Sequence, residues 1–478
     1  MSSCVANEPQ RRPAYRFPPG LEHNLLWYAF RKFRPADPIA LFQHLAEKYG
    51  DIAHYRLGPE HIVFINSPEY VREILVVQHE NFTKERTQQR TKMLLGDGMI
   101  TADGPRHRAQ RRAAQPAFHR HRIAAYAGAI AQHTTRVTAG WHDGECRDIA
   151  QDMMRLTLGI VAATLFGTDL GSETADLNDA VNEIMGDYTF LIALPLAELL
   201  LHFPVPQLRR FRRARSRLDR SVYEMIAEHR SANNAQRSDL LSMLMEPRDT
   251  GVPTDDQLRD EILTILLAGY ETVANALTWT FYLLSQNPGV EAKLHAEIDT
   301  VLAGRPPSLA DVPCLRYVEL TLAESMRLHP PAWAMGRRAV GDFSLGPWVF
   351  PARTTVLMSQ YILHRDPKYW RDPLHFWPER FEIASDSAPK QPGLQGSAYV
   401  PVIKSSGVPR FCYFPFGAGP RQCIGESFAW MEGVLVIASI AQRWRFRLVQ
   451  GHPVEPLPLI TLRPKHGMRM VLEQRRHA

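Results

Sequence analysis

The sequence predicts a mainly α fold with a small β-rich region. A helical pattern runs unbroken from Thr254 to about Gln286, and an apolar, helix-forming run extends from about Glu426 to Gln442. Alternating, strand-like patterning is confined to short stretches between Ile52 and Ile65 and, in places, between Trp444 and Met470.

In chain order, Phe17-Pro-Pro-Gly20 is a stiff, non-helical entry. Asp37 caps a short helix with Pro38 at its first position, Ile39, Phe42, Leu45 and Ala46 on its apolar face, and Tyr49-Gly50 at its end. Ile52–Leu57 and His61–Ile65 alternate and read as a hairpin. Phe82 to Ile100 is polar and reads as irregular. Gly104-Pro105 opens a helix on which His107 and Arg111, four apart, share a face. Arg106, Arg108 and Arg112 read as a solvated basic face. Met153 to Phe166 is an apolar core helix ending at Gly167.

Phe190 to Val205 is greasy but too short, and too interrupted by Pro195 and Glu198, to span a bilayer. A run of arginines from Arg209 to Arg217 follows it. The pair reads either as the roof of an apolar pocket with a solvated helix behind it, or as a weak membrane-surface contact. Thr254-Asp-Asp-Gln257 matches a capping box and opens the longest helix, which stops at Asn287-Pro288-Gly289. Its apolar residues lie nearly all round, so it is buried. At its middle stand two small residues, Ala268 and Gly269, of which the glycine costs helix stability; the pair suits a flat group packed against that face. Thr272 is placed to bond back to the Ala268 carbonyl. Residues 383–408 read as a surface insertion.

The 478 residues carry a net charge of +6 at pH 7. That balance suits an acidic partner or an anionic surface, and no nucleic-acid-binding signature accompanies it. The five cysteines are few and scattered, which argues for a reducing compartment, expected to be the cytoplasm, and against a disulfide framework. No transmembrane segment is expected.

The chemistry gathers at Phe414-Pro-Phe-Gly-Ala-Gly-Pro-Arg-Gln-Cys423-Ile-Gly425. One cysteine stands at the start of a helix, where free N–H groups and the helix dipole favour a thiolate, a soft metal ligand. Glycines leave room for a planar group to approach the backbone, and Arg421 can reach an anion at its edge. A buried structural cysteine in a tight turn is the plain alternative. The complete pattern F-G-x-G-x-R-x-C-x-G, however, resembles the haem-ligand loop of the cytochrome P450 monooxygenases. Ala268-Gly269-Tyr270-Glu271-Thr272 resembles that family's A-G-x-E-T segment, which more often has His or Asp where Tyr270 stands. Glu324-Ser-Met-Arg327 and Phe376-Trp-Pro-Glu-Arg380-Phe resemble its E-x-x-R and P-E-R-F segments.

The resemblance runs from about Asp37 to Met470. It implies the cytochrome P450 fold, with an N-terminal arm at 1–20 and one haem domain at 21–478. It implies haem b held at Cys423, with Phe416, Gly417, Gly425, Ala268 and Gly269 around it. It places His107, Arg111, Arg337 and Arg421 at the haem carboxylates. Glu271 and Thr272 would deliver protons, and Glu324, Arg327 and Arg380 would form a buried triad behind the cysteine loop. The region 82–100 would help cover the substrate. Ala268, Trp333, Ala334, Met335, Leu459 and Ile460 would face a small apolar substrate, its class left open. O2 would be the oxygen source. Electrons would come from NAD(P)H through a separate acidic ferredoxin or flavodoxin with its reductase. A peroxide-using peroxygenase and a non-catalytic haem sensor are the alternatives.

Overall fold

The computed structural model describes residues 14–22, 37–168, 177, 179–184, 206–231, 239–246, 251–382 and 407–475. Helices dominate these residues, and their organising element is the helix Asp255–Gln286. It begins in the anticipated capping box: Thr254 Oγ1 accepts the Gln257 N–H at 3.3 Å, and Gln257 Oε1 accepts the Thr254 N–H at 3.1 Å. Its 32 residues make it about 48 Å long at about 1.5 Å per residue. It is long and apolar enough to cross a membrane, but its most apolar stretch is 83% buried inside the protein, so it is core.

Helices Ile149–Leu165, Pro206–Ser231, Arg316–Leu328 and Glu426–Ala441 pack against it. The contact with Ile149–Leu165 explains Gly269. A Cβ there would lie 3.2 Å from Val161 Cγ2, so the glycine lets the two helices approach. Its smallness serves the packing of this neighbouring helix. Helix Ile149–Leu165 starts four residues earlier than its apolar pattern indicates, because the Asp148 carboxylate accepts the Ala150 N–H at 3.1 Å. Pro206–Ser231 buries Leu208, Phe211, Ala214 and Leu218 and exposes Arg209, Arg210, Arg212, Arg213 and Arg217, a solvated basic face. The apolar stretch 190–205 and most of the insertion 383–408 lie outside the described residues.

The largest sheet runs, in order, Ile52–Leu57, Glu60–Ile65, Thr355–Met358, Met335–Ala339 and Phe82–Lys84. Its hairpin pairs Ile52 with Ile65 and Leu57 with Glu60. Helix Pro38–Tyr49 leads into it, with the Asp37 carboxylate accepting the Ala40 N–H at 3.1 Å. Residues of the N-terminal arm are tied to the strands: the Arg16 N–H donates to the Val349 carbonyl at 2.9 Å, and the Leu21 N–H to that of His54 at 3.0 Å.

The stretch 82–100 is more ordered than its polar composition suggests. Phe82–Lys84 is an edge strand, with Phe82 opposite Ala339, and Arg86–Arg90 and Lys92–Leu95 are short helices. The Glu85 carboxylate accepts the N–H groups of Thr87 and Gln88 at 2.6 and 2.7 Å. Only Phe82, Lys84, Thr91, Leu94, Leu95, Gly98 and Met99 of this stretch are buried, too sparse a set to show a period. Smaller sheets complete the fold, among them the hairpin Pro456–Pro458 with Leu462–Pro464.

Candidate active site

The cysteine loop is shaped by its own backbone before its side chains matter. Gly417 and Gly419 both take φ 71°, a left-handed conformation that glycine adopts freely. A Cβ on Gly419 would sit 2.1 Å from the Leu75 carbonyl oxygen, so no other residue fits there. The Gly417 N–H donates to the Phe414 carbonyl at 2.9 Å, and the Cys423 N–H to that of Phe416 at 3.0 Å. Helix Glu426–Ala441 then starts with Gly425 as its cap.

Cys423 is solvent-accessible although protein mass surrounds it, so its sulfur faces an interior space. Burial pushes its thiol up to about 11, opposed by a hydrogen bond from the Gly425 backbone and by the Arg111 charge. The helix terminus alone therefore does not make this thiol a thiolate; burial outweighs it. A metal cation would reverse that balance, since it binds the deprotonated sulfur and releases the proton.

Around the loop stands a set of cations with little to neutralise them. Arg337 is buried, and Arg421 pairs with Asp103 and donates to the Ala102 carbonyl at 3.1 Å. Arg111 donates to the Gln422 carbonyl at 2.7 Å. Burial, together with Arg421, Lys84 and Arg111, lowers His107 to about 4, so it is a neutral hydrogen-bonding group. Burial and then Arg421 lower Arg337 to about 10.

Sequence reasoning missed Lys84. It is 6% exposed on the edge strand, donates to the Ile100 carbonyl, and is pulled down to about 7 by burial, Arg421 and Arg337. No local pattern marks it; Arg337, its partner on the neighbouring strand, and Arg421 are both more than 250 positions away in the sequence. Two buried cations, Lys84 and Arg337, with the part-buried Arg111 and Arg421, outnumber the nearby carboxylates Asp103 and Glu85 and make a cradle for a dianion. A thiol facing an interior space beside such a cradle fits an iron porphyrin with two carboxylates, and the family-implied haem b passes this test.

On the central helix, Ala268, Gly269 and Thr272 keep accessible surface while most neighbouring positions are buried. Thr272 Oγ1 donates to the Ala268 carbonyl at 2.7 Å. Glu271 is buried and turned elsewhere. Its Oε1 accepts the Arg463 Nε–H at 2.8 Å and the Thr461 hydroxyl. Trp333, Ala334, Met335 and Leu459 are half-buried and Ile460 is exposed. Met335 lies against the loop, its Cε 3.4 Å from where a Gly417 Cβ would be.

Behind the loop, Glu324 and Arg327 are fully buried and Arg380 nearly so. Arg327 makes a two-pronged bond to the Glu324 carboxylate at 2.7 and 2.8 Å, and Arg380 Nε donates to it at 2.9 Å. The remaining guanidinium hydrogens reach the carbonyls of His364, Pro373, Arg371 and His375. His364 Nε2 in turn accepts the Phe414 N–H at 3.1 Å.

Comparisons with known proteins agree with this geometry. The family model for cytochrome P450 matches residues 18–470. The chain is 36% identical over 430 residues to cyclooctatin synthase of Streptomyces melanosporofaciens, covering 89% of each protein. It is 37% identical over 406 residues to cyclooctat-9-en-7-ol 5-monooxygenase of the same organism, covering 84% of each. It is 31% identical to pentalenene oxygenase of Streptomyces avermitilis, over 91% of this chain and 92% of that protein. The retinoic acid-bound cyanobacterial CYP120A1 superposes with a TM-score of 0.80 at 24% identity, over 97% of this chain and 100% of that one. The chain thus belongs to the cytochrome P450 family, and it is a haem b monooxygenase that inserts one atom of O2 into an apolar substrate with electrons from redox partners.

Proposed function

We propose that the substrate is a terpene-type hydrocarbon or monoalcohol, hydroxylated at an unactivated C–H bond. Relatives named for cyclooctat-9-en-7-ol and for pentalenene support this reading, as do the apolar positions Ala268, Trp333, Ala334, Met335, Leu459 and Ile460 assigned to the pocket. Haem b, once bound, supplies the oxidising power. The other roles belong to the chain. Cys423 donates its sulfur to the iron, with Phe416, Gly417 and Gly425 shaping the loop around it. Lys84, His107, Arg111, Arg337 and Arg421 hold the two carboxylates. Ala268 and Gly269 would let the helix lie close to the haem, and Thr272 and Glu271 would hold and move protons on that side of it. Glu324, Arg327 and Arg380 lock the loop from behind.

The single observation that carries the reading is Cys423 facing an interior space beside a cluster of cations, of which Lys84 and Arg337 are buried. Its test is Cys423→His. The variant should bind haem but lose the strongly red-shifted Soret band of the ferrous carbon monoxide complex; persistence of that band would overturn the ligand assignment. A screen of apolar alcohols and hydrocarbons for spin-state shifts then tests the substrate class. Failure of every terpene-type compound, with fatty acids shifting the spectrum instead, would replace it.

The donor is an acidic ferredoxin or flavodoxin that docks on the cysteine side. Arg108, Arg112, Arg410, Arg443 and Arg445 are exposed, while His107 on the same helix as the first two is buried. The free state of Cys146, Cys314 and Cys412 supports a reducing, cytoplasmic setting.

A further inference from the structure

Glu271 is held by one small hairpin. Thr461 and Arg463 both bond its Oε1; Thr461 ends the turn between Pro456–Pro458 and Leu462–Pro464, and Arg463 lies on the second of these strands. Thr461 Oγ1 also accepts Asn275 Nδ2 at 3.1 Å, from the next turn of the central helix. Arg463 Nη1 donates to Asn182 Oδ1 at 3.2 Å. Its Nη2 is buried and has no hydrogen-bond partner among the described residues. The same hairpin carries Leu459 and Ile460 at its tip.

The two sides of the turn 459–461 are held unequally. Just after it, the Leu462 N–H donates to the Pro331 carbonyl at 2.9 Å, and the Leu462 carbonyl accepts the Trp279 indole N–H at 3.0 Å. At its tip the only side-chain hydrogen bond among the described residues is from the Trp333 indole N–H to the Leu459 carbonyl, at 2.8 Å. Ile460 is 44% exposed, a large apolar side chain with nothing packed over much of it. Thr461 is the next residue and is buried on the acid.

We infer that Arg463 and Thr461 are positioning residues for Glu271, and that the Leu459–Ile460 tip makes their hold on the acid responsive to the substrate. The inference rests on the proton-transfer role given to Glu271 above. A molecule pressed on Ile460 shifts the side of the turn fastened by one indole, while Leu462, the first residue after the turn, stays fixed. Thr461 lies between the two, so the displacement is felt at its bond to Glu271 Oε1. A well-seated substrate and a ready acid are then linked by two residues of chain. A proton relay works only over hydrogen-bond distances, so small shifts at Thr461 suffice.

The test uses the complete haem-loaded enzyme with its electron donors and a substrate found in the spin-shift screen. Product and peroxide per NAD(P)H are measured for Arg463→Gln, Arg463→Lys, Thr461→Val and Glu271→Gln. In Arg463→Gln, product per NAD(P)H should fall by roughly an order of magnitude, less than the about 10²-fold or more that loss of a positioned proton donor costs. Arg463→Lys should recover most of it. The carbon monoxide band and the substrate concentration for half-maximal spin shift should not move, which a merely structural role would not allow. Thr461→Val and Trp333→Phe should each uncouple in the same direction.

Wild-type coupling in Arg463→Gln, with Glu271→Gln uncoupled, overturns the inference and leaves the acid's role standing. Wild-type coupling in Glu271→Gln removes the acid's role and the inference with it. If both Arg463 variants lose the carbon monoxide band, Thr461→Val decides: wild-type coupling there overturns the inference.

Discussion

At the scale of the residue, two groups decide what the site can do. Thr272 keeps accessible surface in a buried helix, with its hydroxyl hydrogen on the Ala268 carbonyl. Its oxygen lone pairs face outward as acceptors. Thr272→Ala removes that relay while leaving the helix intact. NAD(P)H consumption should persist while product falls and peroxide rises; unchanged product per NAD(P)H would remove the role. Lys84 gives a pH prediction. In the chain alone its pKa is lowered from 10.5 to about 7, first by burial. Beside two cofactor carboxylates it would hold its proton. Haem binding therefore takes up a proton as pH rises from about 7 toward 10, and affinity weakens through that window. Transfer of haem to an apoglobin scavenger should be faster at high pH in the wild type. In Lys84→Met that dependence should flatten.

At the scale of the element, legibility follows how local the cause is. The capping box at Thr254, the cap at Asp37 and the hairpin 52–65 depend on residues within a few positions of one another, and each stands where the sequence puts it. The cysteine loop is equally local in its turns. The contact of Gly269 with Val161 was not legible because Val161 is on another helix. The order in 82–100 was missed because its strand pairs with residues some 250 positions away. The grip of Arg463 on Glu271 has no local signature either. Spacing showed Glu324 and Arg327 as one pair but not that both are fully enclosed. Removing one partner of a buried ion pair costs about 3–5 kcal/mol, against a total stability of about 5–15 kcal/mol. Glu324→Ala, which strands two arginines, should yield little haem-loaded protein. A soluble variant with full haem content would show that the loop does not need the triad.

At the scale of the whole molecule, the positive balance is distributed by helix faces. On helix Gly104–Ala114, His107 points inward and Arg108 and Arg112 stay in solvent. Complementary charge mainly speeds encounter, and salt screens it over a Debye length of about 8–10 Å. The first electron-transfer rate at limiting donor should fall with rising ionic strength. Arg108→Glu with Arg112→Glu should lower it further without altering substrate binding. A rate indifferent to both would defeat docking by charge and leave the monooxygenase assignment untouched.

The cysteine loop has one more consequence, in the order of assembly. The contacts that fix it span the chain: 50 residues from His364 to Phe414, 90 from Ala323 to Tyr413, 311 from Arg111 to Gln422 and 318 from Asp103 to Arg421. Closing such loops costs entropy before any contact rewards it, and contacts of that separation form late. The ribosome must release nearly the whole chain before the cradle exists. A chain halted partway has helices but nowhere to seat a porphyrin, so cofactor incorporation reports on completed folding rather than guiding it.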